Sequence, residues 1–193
     1  MPINTLRPTK RAKAAIAAVL ATAAAAGGYI MLPGGERVPP SVVLAMDTLV
    51  QPWEGRELRA YRDAVGIWTI CDGDTANVRP GMVETPAGCD KRLRTRLVRD
   101  FYKPLTRCIA DFDKKPVSWS AMMISLGYNV GVSAACNSTA ARLGRAGRYL
   151  DSCNAATAFN RAGGKVLIGL VNRREMGDRS RIGEGELCVS GLQ

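Results

Sequence analysis

Three side chains able to give, take or orient a proton stand close together in "WEGRELRAYRDAVGIWTIC", residues 53–71: Glu54, Asp63 and Thr69. The chain has no histidine. Ser-His-Asp and Cys-His catalysis and His-ligated zinc are therefore excluded, and carboxylates are the best candidates for acid–base work. Two carboxyl groups facing each other across a cleft are the minimal apparatus for glycoside hydrolysis. One stays protonated and donates to the leaving oxygen. The other stays ionised and assists water or stabilises positive charge on the sugar. Glu54, beside Trp53, is the candidate donor. Asp63, after Arg62 in a polar stretch, is the candidate ionised partner, and Thr69 could hold the attacking water. The plain alternative is three polar residues on an ordinary surface.

The spacing limits how the pair can be built. Nine residues of straight helix separate two side chains by about two and a half turns, so they point to opposite faces. A working pair needs a bend, and Gly55 followed by the strand-like "LRAYRD" supplies one. The preceding "PPSVVLAMDTLVQPWEG" reads as a helix, with Ser41 as a candidate N-cap and Val42, Met46, Leu49 and Trp53 at helical spacing. "ELRAYRDAVGIWTIC" reads as a hairpin turning near Gly66. "NVRPGMVETPAG" reads as loop. From Asp90 the pattern is helical, with Leu93, Leu97, Phe101, Leu105 and Ile109 on one stripe and Pro104 expected to kink or split it. "SWSAMMISLGYNVG" is expected to be a buried helix ending at Gly131. "NSTAARLG", "DSCNAATAF" and "KVLIGLVNRREM" suggest three more. The fold class expected is α+β: a small lobe with a short β-hairpin sheet, then a mainly helical lobe.

Ahead of the folded part, a basic flank (residues 1–13, with Arg7, Lys10, Arg11 and Lys13) precedes a charge-free run, residues 14–32. Nineteen residues of helix would span about 28 Å, close to a bilayer core. The basic flank predicts a cytoplasmic N-terminal side. Alanine and glycine dominate the run and bury little apolar area, so insertion would be marginal. A cleaved signal peptide and a weak, uncleaved anchor are both compatible with this pattern, and residues 33–40 read as a linker. Six cysteines, none in a C-x-x-C pair, beside an export signal read as three disulfides in an oxidising compartment. The net charge of +10 favours a polyanionic partner without choosing among nucleic acid, anionic lipid and cell-wall polymer. The export segment and the cysteines speak against nucleic acid.

The order E-G…Y-x-D…G-x-x-T, carried here by Glu54-Gly55, Tyr61, Asp63, Gly66 and Thr69, resembles the phage-type lysozymes, the muramidases of glycoside hydrolase family 24. "LGYNVG" at 126–131 and "GGKVLIGLVNRRE" at 163–175 match as well, so the resemblance covers roughly residues 41–190. It implies a lysozyme-like catalytic domain over 41–193, with Glu54 as general acid, Asp63 as catalytic aspartate and Thr69 positioning water. It implies an arginine holding Glu54, for which Arg173 is chosen over Arg174. It also implies cleavage of the β-1,4 bond between N-acetylmuramic acid and N-acetylglucosamine in peptidoglycan, without a cofactor or metal. Tyr61, Trp68 and Asn129 are candidates to line the sugar groove, although core packing is the leading reading for Trp68.

The Ala/Gly-rich segment looks like that of the signal-arrest-release endolysins of phages of Gram-negative bacteria. This likeness implies a monomer held in the host inner membrane through residues 14–32, facing the periplasm, then released into it. The segment has no cysteine, so control by disulfide exchange does not carry over; the expected control is packing of the freed segment into the domain. Disulfides are expected between neighbours along the chain: Cys71–Cys89, Cys108–Cys136 and Cys153–Cys188. Many relatives have glycine, tyrosine and histidine after the threonine strand, where this chain has "CDGDT". Asp72 and Asp74 could begin a calcium loop, but the later ligands are missing. The competing reading is a non-enzymatic, membrane-anchored protein that binds cell wall or another anionic polymer.

Overall fold

The computed structural model describes residues 2–32 and 35–192, so Pro33 and Gly34 of the expected linker lie outside the described residues. Helix α1 spans Lys10–Ala25. Strands β1 (Ile30–Met31) and β2 (Arg37–Val38) pair antiparallel behind it. A continuous helical run follows: α2 (Pro40–Leu44), a π-helical segment (Ala45–Val50) and α3 (Gln51–Glu54). It starts two residues earlier than an N-cap at Ser41 would place it. Pro40, not Ser41, opens the first turn, where a proline's missing N–H costs nothing. Ser41 lies inside the helix and makes no cap hydrogen bond. Gly55 closes the run with φ +71°, a conformation open to glycine, and turns the chain away.

Strands β3 (Glu57–Arg62) and β4 (Trp68–Cys71) then form the expected hairpin, with Tyr61 opposite Thr69 and Arg62 opposite Trp68. Residues 82–84 lie along the outer edge of β3: the amide of Ala60 donates to the Met82 carbonyl, and that of Glu84 to the Leu58 carbonyl.

The next helix begins at Pro86, four residues before the expected start, because the Thr85 side chain caps it by accepting from the Gly88 amide. It runs through α4 (Pro86–Arg96), a second π-helical segment (Leu97–Tyr102) and α5 (Lys103–Cys108). Pro104 neither splits nor ends it. Each π segment stops two residues before a proline, Pro52 or Pro104. Within each, the hydrogen bonds widen: the amide of Gln51 reaches the Met46 carbonyl, and that of Lys103 the Val98 carbonyl. The wider winding moves aside the carbonyl a proline ring would strike in an α-helix.

Helix α6 (Val117–Val130) is buried along most of its length and ends at Gly131. Around it stand α7 (Val132–Cys136), α8 (Thr139–Arg145), α9 (Tyr149–Ala156), α10 (Ile168–Arg174) and α11 (Glu184–Ser190). Strands β5 (Arg161–Ala162) and β6 (Lys165–Val166) make a small hairpin, so Lys165 and Val166 fall outside α10. One large core joins α2, the helices around α6, and the inner face of α1. The three disulfides are those expected, Cys71–Cys89, Cys108–Cys136 and Cys153–Cys188.

Helix α1 docks on α2 and α11 through a stripe of Ala12, Ile16 and Ala23. It begins at Lys10, inside the basic flank, and ends before the glycines. No helix among the described residues is long and apolar enough to cross a membrane.

Candidate active site

The bend required between the two carboxylates is present. Glu54 is the last residue of α3, and Gly55 sends the chain into β3. Asp63 follows the end of β3, at the hairpin turn. Its Oδ1 accepts the amides of Val65 at 3.0 Å and Ile67 at 2.8 Å, so the turn is built on this side chain. Thr69 lies on β4 and is nearly buried; its hydroxyl donates to the Ile67 carbonyl at 3.1 Å, leaving the oxygen's lone pairs as acceptors. Tyr61, opposite Thr69, is exposed. Trp68 is half-buried and lies outside the hydrophobic core; the Arg62 guanidinium stands 5.1 Å above its ring. The core-packing reading of Trp68 is therefore not what the structure shows.

Glu54 is held from the helical lobe. Arg173 Nη1 lies 2.7 Å from Glu54 Oε1, with the arginine side chain 7% exposed and the glutamate 22%. The choice between Arg173 and Arg174 is thus resolved geometrically. Arg174 turns into the interior, pairing with Glu184 and donating to Asn129 Oδ1 and, at 3.2 Å, to the Phe159 carbonyl. Glu184 is fully buried, accepts from Ser125 Oγ at 2.7 Å, and lies 3.7 Å from Arg173 Nε. Glu54, Arg173, Glu184 and Arg174 thus alternate in charge, which lets two arginines be buried without isolated charge. Asn129 is exposed, and its carboxamide oxygen is taken by Arg174.

Sequence reading missed Glu184, and with it Tyr128. The Tyr128 hydroxyl donates to the Asp72 carbonyl and receives Arg96 Nη1 at 3.2 Å, joining α6 to the hairpin lobe. Burial pushes its pKa well up; Arg96 opposes this, and the nearby Glu54 carboxylate adds to it. The available signal was the position of Tyr128 and Asn129 inside "LGYNVG"; Glu184, the first residue of the wholly buried α11, offered none. Asp72 and Asp74 serve as ion-pair partners, Asp72 to Arg56 at 2.8 Å and Asp74 to Arg92 at 2.7 Å. A depression of about 460 Å³ adjoins Arg173, lined by Trp53, Leu167, Ile168 and Arg181 among others.

The phage lysozyme family profile matches residues 51–177, which include Glu54, Asp63, Thr69 and Arg173. The SAR-endolysin of Enterobacteria phage P21 is 31% identical over 163 residues, 83% of this chain and 92% of that one. The SAR-endolysin of Pseudomonas phage phiKMV is 37% identical over 127 residues, 63% of this chain and 76% of that one. Among solved structures, the endolysin from Escherichia coli O157:H7 phage FAHEc1 superposes with a TM-score of 0.64 at 26% identity, covering 77% of this chain and 92% of that chain. The active form of the P1 phage endolysin Lyz shares the fold with a TM-score of 0.62 at 21% identity, over 92% of this chain and 95% of its own. With the profile spanning residues 51–177, the chain belongs to the phage lysozyme family.

Proposed function

We propose that this site is the active centre of a muramidase, an endolysin that hydrolyses the β-1,4 bond between N-acetylmuramic acid and N-acetylglucosamine to lyse the host. The observation that carries the assignment of roles is the Arg173–Glu54 pair at 2.7 Å, beside the hairpin that bears Asp63 and Thr69. Glu54 gives its proton to the glycosidic oxygen. Asp63, ionised, supports water or the charge on the sugar ring. Thr69, whose own proton is committed to Ile67, accepts a hydrogen bond from the attacking water. Tyr61, Trp68 and the free amide nitrogen of Asn129 contact the glycan. Substituting Glu54→Gln keeps the volume and removes the acid. Release of reducing ends from purified peptidoglycan should fall about 10²–10⁴-fold while circular dichroism is unchanged. Cleavage retained within tenfold would rule Glu54 out as the acid.

We also infer that residues 14–32 insert weakly in the inner membrane before the chain enters the periplasm, and that the structure resembles the released state, with α1 on the domain. Support comes from the two SAR-endolysin relatives and from the composition of the segment. The basic flank supplies a trigger. Moving one positive charge against an inside-negative potential costs about 2.3 kcal/mol per 100 mV, and Arg7, Lys10, Arg11 and Lys13 must all make that journey. Loss of the potential removes the barrier. Cell fractionation should find the protein in the membrane pellet before depolarisation and in the soluble periplasmic fraction after it. An unchanged distribution would sink this reading.

A further inference from the structure

Glu175 and Glu186 are both fully buried, and a buried carboxylate is tolerated only with donors around it. Most of those donors come from the opposite end of the chain. The amides of Ile3 and Asn4 reach Glu175 at 2.6 and 2.7 Å, and the Asn4 side chain donates to it at 2.7 Å. Thr9 Oγ1 donates to Glu186 at 2.6 Å, and Arg11 donates Nε and Nη2 to its two oxygens at 2.7 Å each. Arg11 also gathers the loop between α10 and α11, donating to the carbonyls of Asp178 at 2.8 Å, Met176 at 3.1 Å and Arg181 at 3.3 Å.

That loop is tightly folded: a Cβ on Gly177 would lie 2.0 Å from the Arg181 oxygen. Its far side touches the acid's neighbour. Trp53 Nε1 donates to the Ile182 carbonyl at 2.9 Å, and the Arg181 guanidinium stacks 3.8 Å from the Trp53 ring. Residues 3–11 therefore hold Glu175, two residues past Arg173, directly, and reach Trp53, the residue before Glu54, through the loop that Arg11 gathers.

We propose that residues 3–11, the polar flank upstream of the apolar segment, form a positioning strap for the general acid, with Arg11 as its hub. The apolar face of α1 supplies the burial that docks the helix. The flank supplies the hydrogen bonds that fix the 175–183 loop, and through it Trp53, Glu54 and Arg173. This rests on the muramidase reading above and adds that the charges on the near side of the membrane segment become part of the working enzyme.

The test uses the released full-length chain. Arg11→Ala should lower kcat on peptidoglycan at least tenfold with KM within twofold. It should also speed amide exchange in residues 175–183 while leaving 117–130 unchanged. Arg11→Lys keeps one ion pair but cannot span the carbonyls, and should recover only part of the loss. Asn4→Ala, which removes a single donor, provides the milder variant should Arg11→Ala fail to fold; a two- to threefold loss of kcat with faster exchange in 175–183 is expected. Unchanged exchange, or kcat within twofold of wild type for Arg11→Ala, would overturn the strap. A wild-type chain that released no reducing ends would instead overturn the muramidase reading, with the exchange measurement still reporting on the strap's contacts.

Discussion

The two lobes that meet at the active site are built by different physics. The helical lobe rests on a large apolar core in which Trp119, Phe112, Leu49, Leu97 and Met122 are all essentially inaccessible. The hairpin lobe has a core of three buried residues, Ile70, Cys71 and Cys89. Its cohesion comes from the Cys71–Cys89 disulfide and from arginines reaching in from outside: Arg56 to Asp72 and Asp90, Arg92 to Asp74 and Glu84, Arg96 to the Gly73 carbonyl. Glu54 and Arg173 belong to the first lobe, Asp63 and Thr69 to the second. One half of the candidate site thus rests on a lobe held by burial, which is non-directional and cumulative, and the other on a lobe held by a few specific bonds. Damage to the two halves should look different.

The largest effect is expected in the helical lobe. Trp119 packs against Phe112, Tyr149 and the α-carbon of Gly144, and its Nε1 donates to Ser152 Oγ at 2.7 Å. Trp119→Ala should cost about 3–5 kcal/mol, lowering Tm by roughly 10 °C in a chain this size. Turnover per folded molecule at low temperature should change little. Next comes Cys71→Ser with Cys89→Ser. Opening an 18-residue loop costs about 3 kcal/mol in the chain-entropy account. Here the loss should be local: kcat should fall at least tenfold and amide exchange should rise across 57–85, with a smaller drop in Tm than for Trp119→Ala. Equal losses of Tm in both variants would mean that the lobes unfold as one unit, and the contrast would fail. The smallest effect is Arg62→Ala, which removes a cation–π contact worth about 0.5–1 kcal/mol. It should leave Tm within 2–3 °C and alter KM severalfold at most, through the freed face of Trp68.

The same contrast explains what could be read from the sequence. The hairpin was legible because aromatic and β-branched content and a glycine turn are local signals. The end of α3 was legible because Gly55 is the only residue type that takes its φ easily. Arg173 followed from a motif, and the structure places its guanidinium on Glu54. The strap was not legible, because contacts about 170 residues apart leave no periodic trace in either segment. Helix α11 was missed because it is buried all round and shows no amphipathic pattern, with Glu184 and Glu186 reading as surface charge. Pro104 does not split its helix because the rule that proline breaks a helix assumes α geometry on its N-terminal side, and the winding at 97–102 is wider.

That wider winding sets an angular phase. A π turn carries an extra residue relative to an α turn, and each residue of an α-helix advances about 100° around the axis. Glu54 lies four residues beyond the π segment Ala45–Val50. Its direction relative to the core face of α2 is therefore fixed by that one supernumerary residue. Rewinding 45–50 as α with no residue removed would swing Glu54 by about 100°, off Arg173 and away from the hairpin, whereas deleting one residue there would let the helix rewind with Glu54 still in phase. The register of the candidate site is counted out along the helix axis, well before the chain reaches Glu54.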